Sequence, residues 1–148
     1  MTTTAAQPRS TGYPGYNLNG RRVPETAEEG RCLARVALAA WGLDAEAETA
    51  ALVMSELVAN AARHARGATI RMTVNRPAED RVYVSVIDRA PLHLPQLRAP
   101  GPDAVQGRGL LLVKAVSHRW GWDYMGTGTR PWGKRVWSEL LVNAVPSP

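Results

Sequence analysis

The stretch Met54–Val74, "MSELVANAARHARGATIRMTV", changes its hydrophobic period part-way, and that change decides the fold. Before Gly67, apolar residues fall at Ala47, Ala50, Ala51, Met54, Leu57, Val58, Ala61, Ala62 and Ala65. At about 3.6 residues per turn these share one side of a helix. After Gly67, Ile70, Met72 and Val74 alternate with Thr69, Arg71 and Thr73, which is the period of a strand with one buried face. A helix whose apolar face is rich in alanine, suited to lying flat on a sheet, thus leads directly into a strand. The other side of that helix carries Glu56, Asn60 and Arg63 within about 60° of one another, with His64 at the edge. A solvated polar face is one account of them. Asn, however, costs a few tenths of a kcal/mol in mid-helix, and Leu52 and Val53 flank the stripe as they would where it is partly covered.

Upstream, "PETAEEGRCLARVALAAW" (24–41) reads as another helix. Pro24 suits a first turn, Glu25, Glu28 and Glu29 suit the positive end of the dipole, and Gly42 stops it. Asp44 is expected to cap the second helix, which runs to about Arg66 and ends at Gly67. Residues 1–22 are rich in Thr, Pro, Gly and Asn and read as a loose arm with an edge-strand candidate at Tyr13–Leu18.

Downstream, the turn "NRPAED" (75–80) leads to "RVYVSVID" (81–88), apolar enough for a central strand. Residues 89–106 hold four prolines and no periodicity, a length of loop that is usually functional or disordered. "GRGLLLVKAVSHRW" then opens a short helix, and "WGWDYMG" (120–126) and "WGKRVWSELLV" (132–142) form a terminal hairpin. The order α-α-β-β-loop-α-β-β implies an α/β (α+β) two-layer sandwich, with a mixed, mostly antiparallel sheet and helices on one face. The organisation is an arm (1–22), one domain (23–143) and a tail (144–148).

Composition narrows the chemistry. The 148 residues are 45% hydrophobic, without phenylalanine, and no run approaches the roughly 20 apolar residues of a membrane span. "MTTTAAQPRS" lacks the basic and apolar regions of a secretory signal, so a cytoplasmic protein is expected. Cys32, the single cysteine, is expected to be a packed thiol. His64, His93 and His118 are too scattered for a zinc site. The net charge of +5 is spread from Arg9 to Arg135 without a basic helix. Nucleic-acid binding is therefore disfavoured relative to an anionic ligand such as a polyphosphate or an acidic protein.

Three more segments carry chemistry. "GRGL" (107–110) puts Gly107 and Gly109 where a loop becomes a helix, whose N–H groups and dipole favour an anion. Gly-x-Gly alone is a weak signal, and neither a P-loop nor a dinucleotide fingerprint is present. Asp88 ends an apolar strand, as a turn group or as an acceptor for an exocyclic amine. Lys134 and Arg135 lie on a late strand, where a solvated edge is the simplest reading.

In order along the chain, "SELVANAARHA", "VIDRAP" and "GRGLLLV" resemble the N-box, the adenine box and the second glycine box of the histidine-kinase-like (Bergerat-fold) ATPases. More narrowly they resemble bacterial anti-sigma-factor serine kinases and their small stand-alone relatives. "AAWGL" and "GKRVWSEL" are also typical of the latter, and the likeness covers roughly residues 16–142. The resemblance implies ATP and Mg²⁺ as cofactors, with Asn60 holding the metal and Glu56 as general base. It implies Asp88 on the adenine amine beside Ala90, and Gly107, Gly109 and Leu110 around the phosphates. Arg63, His64 and Arg108 would offset charge, and residues 91–106 would form the ATP lid. Ala90 stands where the fuller adenine box has its first Gly, Val105 where kinase members often have a basic residue, and Arg135 where relatives often have Thr. The implied activity is a serine/threonine protein kinase that regulates a sigma factor by partner switching. The implied partners are a sigma factor and an anti-anti-sigma (STAS-type) protein, with a homodimer through the first helix and arm. A non-catalytic ATP-dependent binding module is the alternative, and a basic nucleic-acid-binding protein the third.

Overall fold

The computed structural model describes residues 3–5, 12–64, 67–91, 108–127 and 129–142. Its sheet has six strands in the order β1-β2-β3-β4-β6-β5, and every neighbouring pair is antiparallel. These are β1 (Thr3–Ala5), β2 (Tyr16–Arg21), β3 (Thr69–Ala78), β4 (Arg81–Asp88), β5 (Arg119–Met125) and β6 (Gly133–Leu141). The helices are α1 (Thr26–Ala40), α2 (Ala47–His64) and α3 (Arg108–Val116). The expected two-layer sandwich is present. β6 returns between β4 and β5, so the end of β4 is bordered by the start of β6, with Asp88 opposite Lys134.

Alanines bring α2 close to the sheet. Ala50, Ala51, Met54, Leu57, Val58 and Ala61 are each at most 2% exposed and join Met72, Val74, Val82, Val84 and Val86 in one core. Burying each large side chain contributes about 1.5–3 kcal/mol. Gly30 of α1 marks the tightest crossing, since a Cβ there would lie 2.7 Å from Met54 Cγ and 3.2 Å from Met72 Sδ. Gly42 takes φ +73° after α1. The N–H of Leu43 donates to Leu38 O and that of Gly42 to Ala39 O, the paired bonds of a Schellman ending. Arg22 donates to Ala62 O (2.9 Å) and Gly67 O (2.8 Å), fastening the β2–α1 link to the far end of α2.

Several boundaries differ from expectation. Asp44 does not cap α2; it begins a single 3-10 turn, Asp44–Glu46, whose start has no side-chain cap bond. The arm's strand is displaced to Tyr16–Arg21 and is not the edge, because the three residues of β1 pair outside it. The turn after β3 shrinks to Glu79–Asp80, since the strand continues through an irregularity between Asn75 and Ala78. Pro77 is tolerated at such a bulge, and buried Arg76 braces it. Its guanidinium donates to Glu79 O (2.8 and 3.2 Å) and Trp41 O (3.3 Å) and lies 4.1 Å from the Tyr13 ring centroid. Cys32 is not packed: α1 turns it to solvent. The proline-rich segment read as a lid falls outside the described residues from position 92 to 107, Arg98, Val105 and Gly107 included.

Candidate functional site

The polar stripe of α2 is not a wet face. Asn60 is only 7% exposed and Val53 only 1%, while Glu56 is half-buried and Arg63 lies open near the helix end. The covering element is α3, whose first turn comes up against Glu56. A Cβ at Gly109 would overlap Glu56 Oε2 and lie 3.3 Å from its Cδ. Glycine at 109 therefore leaves the Glu56 carboxylate its place against α3, a relation that the Gly-x-Gly pattern did not disclose. The opening N–H groups of a helix have no acceptors within it, and its dipole favours negative charge. Glu56 thus sits beside the turn where incoming anions meet backbone donors. Leu110 anchors this turn, buried at 4% in the common core with Val113. The Asn60 amide, one turn beyond Glu56, makes none of the side-chain hydrogen bonds found among the described residues. Because its polar atoms are not among the sealed, unsatisfied ones, this carboxamide is reachable from outside and free to meet an external ligand.

The second half of the site lies where β4 ends. Asp88 is fully buried and Lys134 is 1% exposed at its side chain. Lys134 Nζ donates to Asp88 Oδ1 (2.9 Å), Asp88 Oδ2 (2.9 Å) and Ala90 O (2.8 Å). Asp88 Oδ1 also accepts the Ala90 N–H at 2.8 Å, folding the chain into a tight turn. That turn needs no glycine, because no non-glycine residue described has positive φ. Ala90 replaces a glycine here without strain. Gly133 lets β6 close in, since a Cβ there would collide with the Asp88 carbonyl.

The solvated reading of Lys134 is thus corrected. The signal was present in the period-two pattern of "GKRVWSELL": Lys134 shares a face with Val136, Ser138 and Leu140, which is the helix-covered face. Arg135 points the other way, 3.3 Å from Asp123 and with its guanidinium 5.6 Å from the Tyr83 ring centroid. The β6 residue at Asp88 is therefore Lys134, not Arg135.

The fold brings Glu56, Asn60, Gly109 and Leu110 together and places Asp88 and Ala90 on the same covered face of the sheet. By backbone, His64 closes α2 and Arg108 opens α3; their side chains, like Gly107, lie outside the described residues. The resolved titration shifts lie elsewhere. Glu28 and Glu48 are held below the usual carboxylate range by hydrogen bonds from Arg31 and Arg35, and Arg119 is raised by Glu139.

Residues 22–132 match the family model of the histidine kinase-like ATPase domain. The chain belongs to that family. No curated protein is similar enough in sequence to match it. ATP binding follows from membership. Among the described residues no three His, Cys, Asp or Glu side chains converge on a possible metal position. Among the described residues no helix is long and apolar enough to cross a membrane.

Proposed function

We propose that this protein is an ATP- and Mg²⁺-dependent serine/threonine kinase of the anti-sigma-factor type, controlling transcription by partner switching. The observation that supports this most directly is the Glu56 carboxylate seated against Gly109 in the first turn of α3, with the unpartnered Asn60 amide one turn away. In this reading Asn60 would hold the cation, whose charge would offset that of the phosphates. The first-turn N–H groups at Gly109 and Leu110 receive phosphate oxygens, and Arg63 adds positive charge at the open end of α2. Glu56 takes the proton from the serine hydroxyl of an anti-anti-sigma partner as that oxygen bonds the γ-phosphorus of ATP and the bond to the β–γ bridging oxygen breaks, so that ADP leaves with its electron pair. Catalysis comes mainly from positioning and charge neutralisation.

The test has two parts. ATP titration with and without Mg²⁺, on wild type and Asn60→Ala, is expected to show metal-dependent binding that the substitution abolishes. Transfer of ³²P from ATP to a STAS-type partner is expected for wild type and to fall about 10²–10⁴-fold in Glu56→Ala. Nucleotide binding without labelling of any partner would reject the kinase and leave a nucleotide-gated binding module.

A further inference from the structure

Asp88 is the acceptor through which a purine amine is expected to be recognised, yet all of its side chain is buried and both of its oxygens are in use. Their partner, Lys134, lies just beyond the matched family segment, which ends at residue 132. An ammonium group has three protons, and Lys134 meets three acceptors, two on Asp88 and one at Ala90 O. The ammonium accordingly takes up an acceptor position on each Asp88 oxygen, with the Ala90 N–H on a third, and it has no proton to spare for a ring nitrogen or a carbonyl of the base. Two structural features hold it there. Gly133 removes the side chain that would keep β6 away from the Asp88 carbonyl. Arg89 lies with its guanidinium 5.5 Å from the Trp132 ring centroid, so a second contact ties the end of β4 to the approach of β6.

We propose that Lys134 is the specificity-determining residue of the nucleotide site: it satisfies Asp88 from within the chain, so the base is not selected by its 6-amino group and affinity rests on the triphosphate and its metal. This inference rests on the proposed nucleotide site and adds to it the class of ligand accepted, which is purine nucleoside triphosphates with little regard to the substituent at C6. A protein reading adenine through a free buried aspartate rejects a base without the amine, because the carboxylate then loses a bond it cannot replace. A carboxylate already bonded to lysine loses nothing.

The probes are ATP and purine riboside triphosphate, which differs from ATP only by lacking the 6-amino group, each titrated with Mg²⁺ into the full chain. Wild type is expected to bind the two within about fivefold of each other, since no charged acceptor is left for the amine to satisfy. Lys134→Thr, which frees Asp88, is expected to prefer ATP by roughly tenfold or more, the ratio typical of a hydrogen bond to a charged group. Because that variant leaves a buried charge exposed to folding failure, the double replacement Asp88→Asn with Lys134→Met serves beside it. If Asp88 does not read the base, the double variant keeps the wild-type ATP affinity within about fivefold, the span of a lost neutral contact. A wild type that prefers ATP by roughly tenfold or more overturns the inference while leaving the nucleotide site intact. Failure of wild type to bind either nucleotide overturns both.

Discussion

Replacing Gly109 with alanine separates stability from function, because its consequences have opposite signs. Gly109 is the second residue of α3 and its φ is not in the left-handed region, so alanine suits the backbone. Gly→Ala at a compatible position stabilises by about 0.4–1 kcal/mol through the unfolded chain. Against this, the new Cβ lies 3.5 Å from Glu56 Cβ, an ordinary contact, but 3.3 Å from Cδ and in overlap with Oε2. The overlapping atom is the end of a flexible side chain, so relief requires only that the carboxylate rotate, at about 0.5–1.5 kcal/mol if it leaves its rotamer well. The two terms nearly cancel, and the melting temperature is expected to move by about 4 °C or less. Function has no such compensation. A misplacement of about 1 Å in a reacting group costs on the order of 10²-fold in rate. Thermal unfolding and single-turnover phosphoryl transfer on the same preparation measure both effects. In a Glu56→Ala background the added methyl should stabilise and leave residual turnover unchanged. Full turnover in Gly109→Ala would refute the assignment of Glu56, and a loss of melting temperature above about 10 °C would refute the packing, since it exceeds what one rotated side chain costs.

The buried pair at the end of β4 gives a stability prediction independent of any ligand. Lys134→Met should destabilise by about 3–5 kcal/mol in urea unfolding by stranding Asp88, while adding Asp88→Asn should recover most of the loss. Gly30→Ala should cost about 1 kcal/mol net despite better helix propensity, because the methyl must displace fully buried Met54 and Met72, and overpacking typically costs about 1–3 kcal/mol. Acid should also weaken the helix pair. Glu28 and Glu48 titrate below their ordinary value in the folded chain, so their contribution is present above the unfolded carboxylate pKa and is lost as pH falls through the depressed folded values. Arg35→Ala should remove the Glu48 part of that stability–pH dependence and leave most of the Glu28 part, which Arg31 holds, and added salt should shrink both, since both pairs are exposed.

Local pattern alone was sufficient for the order of elements from α1 to β6 and for the buried face of α2. The switch of period at Gly67 placed α2 before β3, and the alanine-rich face of α2 is the buried one, because burial selects apolar residues at the repeat of the element itself. The Glu56/Asn60 pair was visible as a stripe with a misplaced asparagine, but not as covered. Covering it required α3, more than forty residues downstream, and the only local trace of that contact was a glycine whose reason lay in another helix. Boundaries shifted for the same cause. Arg76 extends β3 through Pro77 by bonding the carbonyl of Trp41, a partner that no window around residue 77 contains.

Lys134 shows the division most clearly. Its position on the core face follows from alternation along β6 and was legible in the sequence. Its meaning was not, because a buried lysine is acceptable only beside a carboxylate, and the carboxylate comes from a strand that meets β6 through the return of the chain between β4 and β5. The sequence determined which residues could carry chemistry; the antiparallel register of β4 and β6 decided that Asp88 is already answered from within the chain.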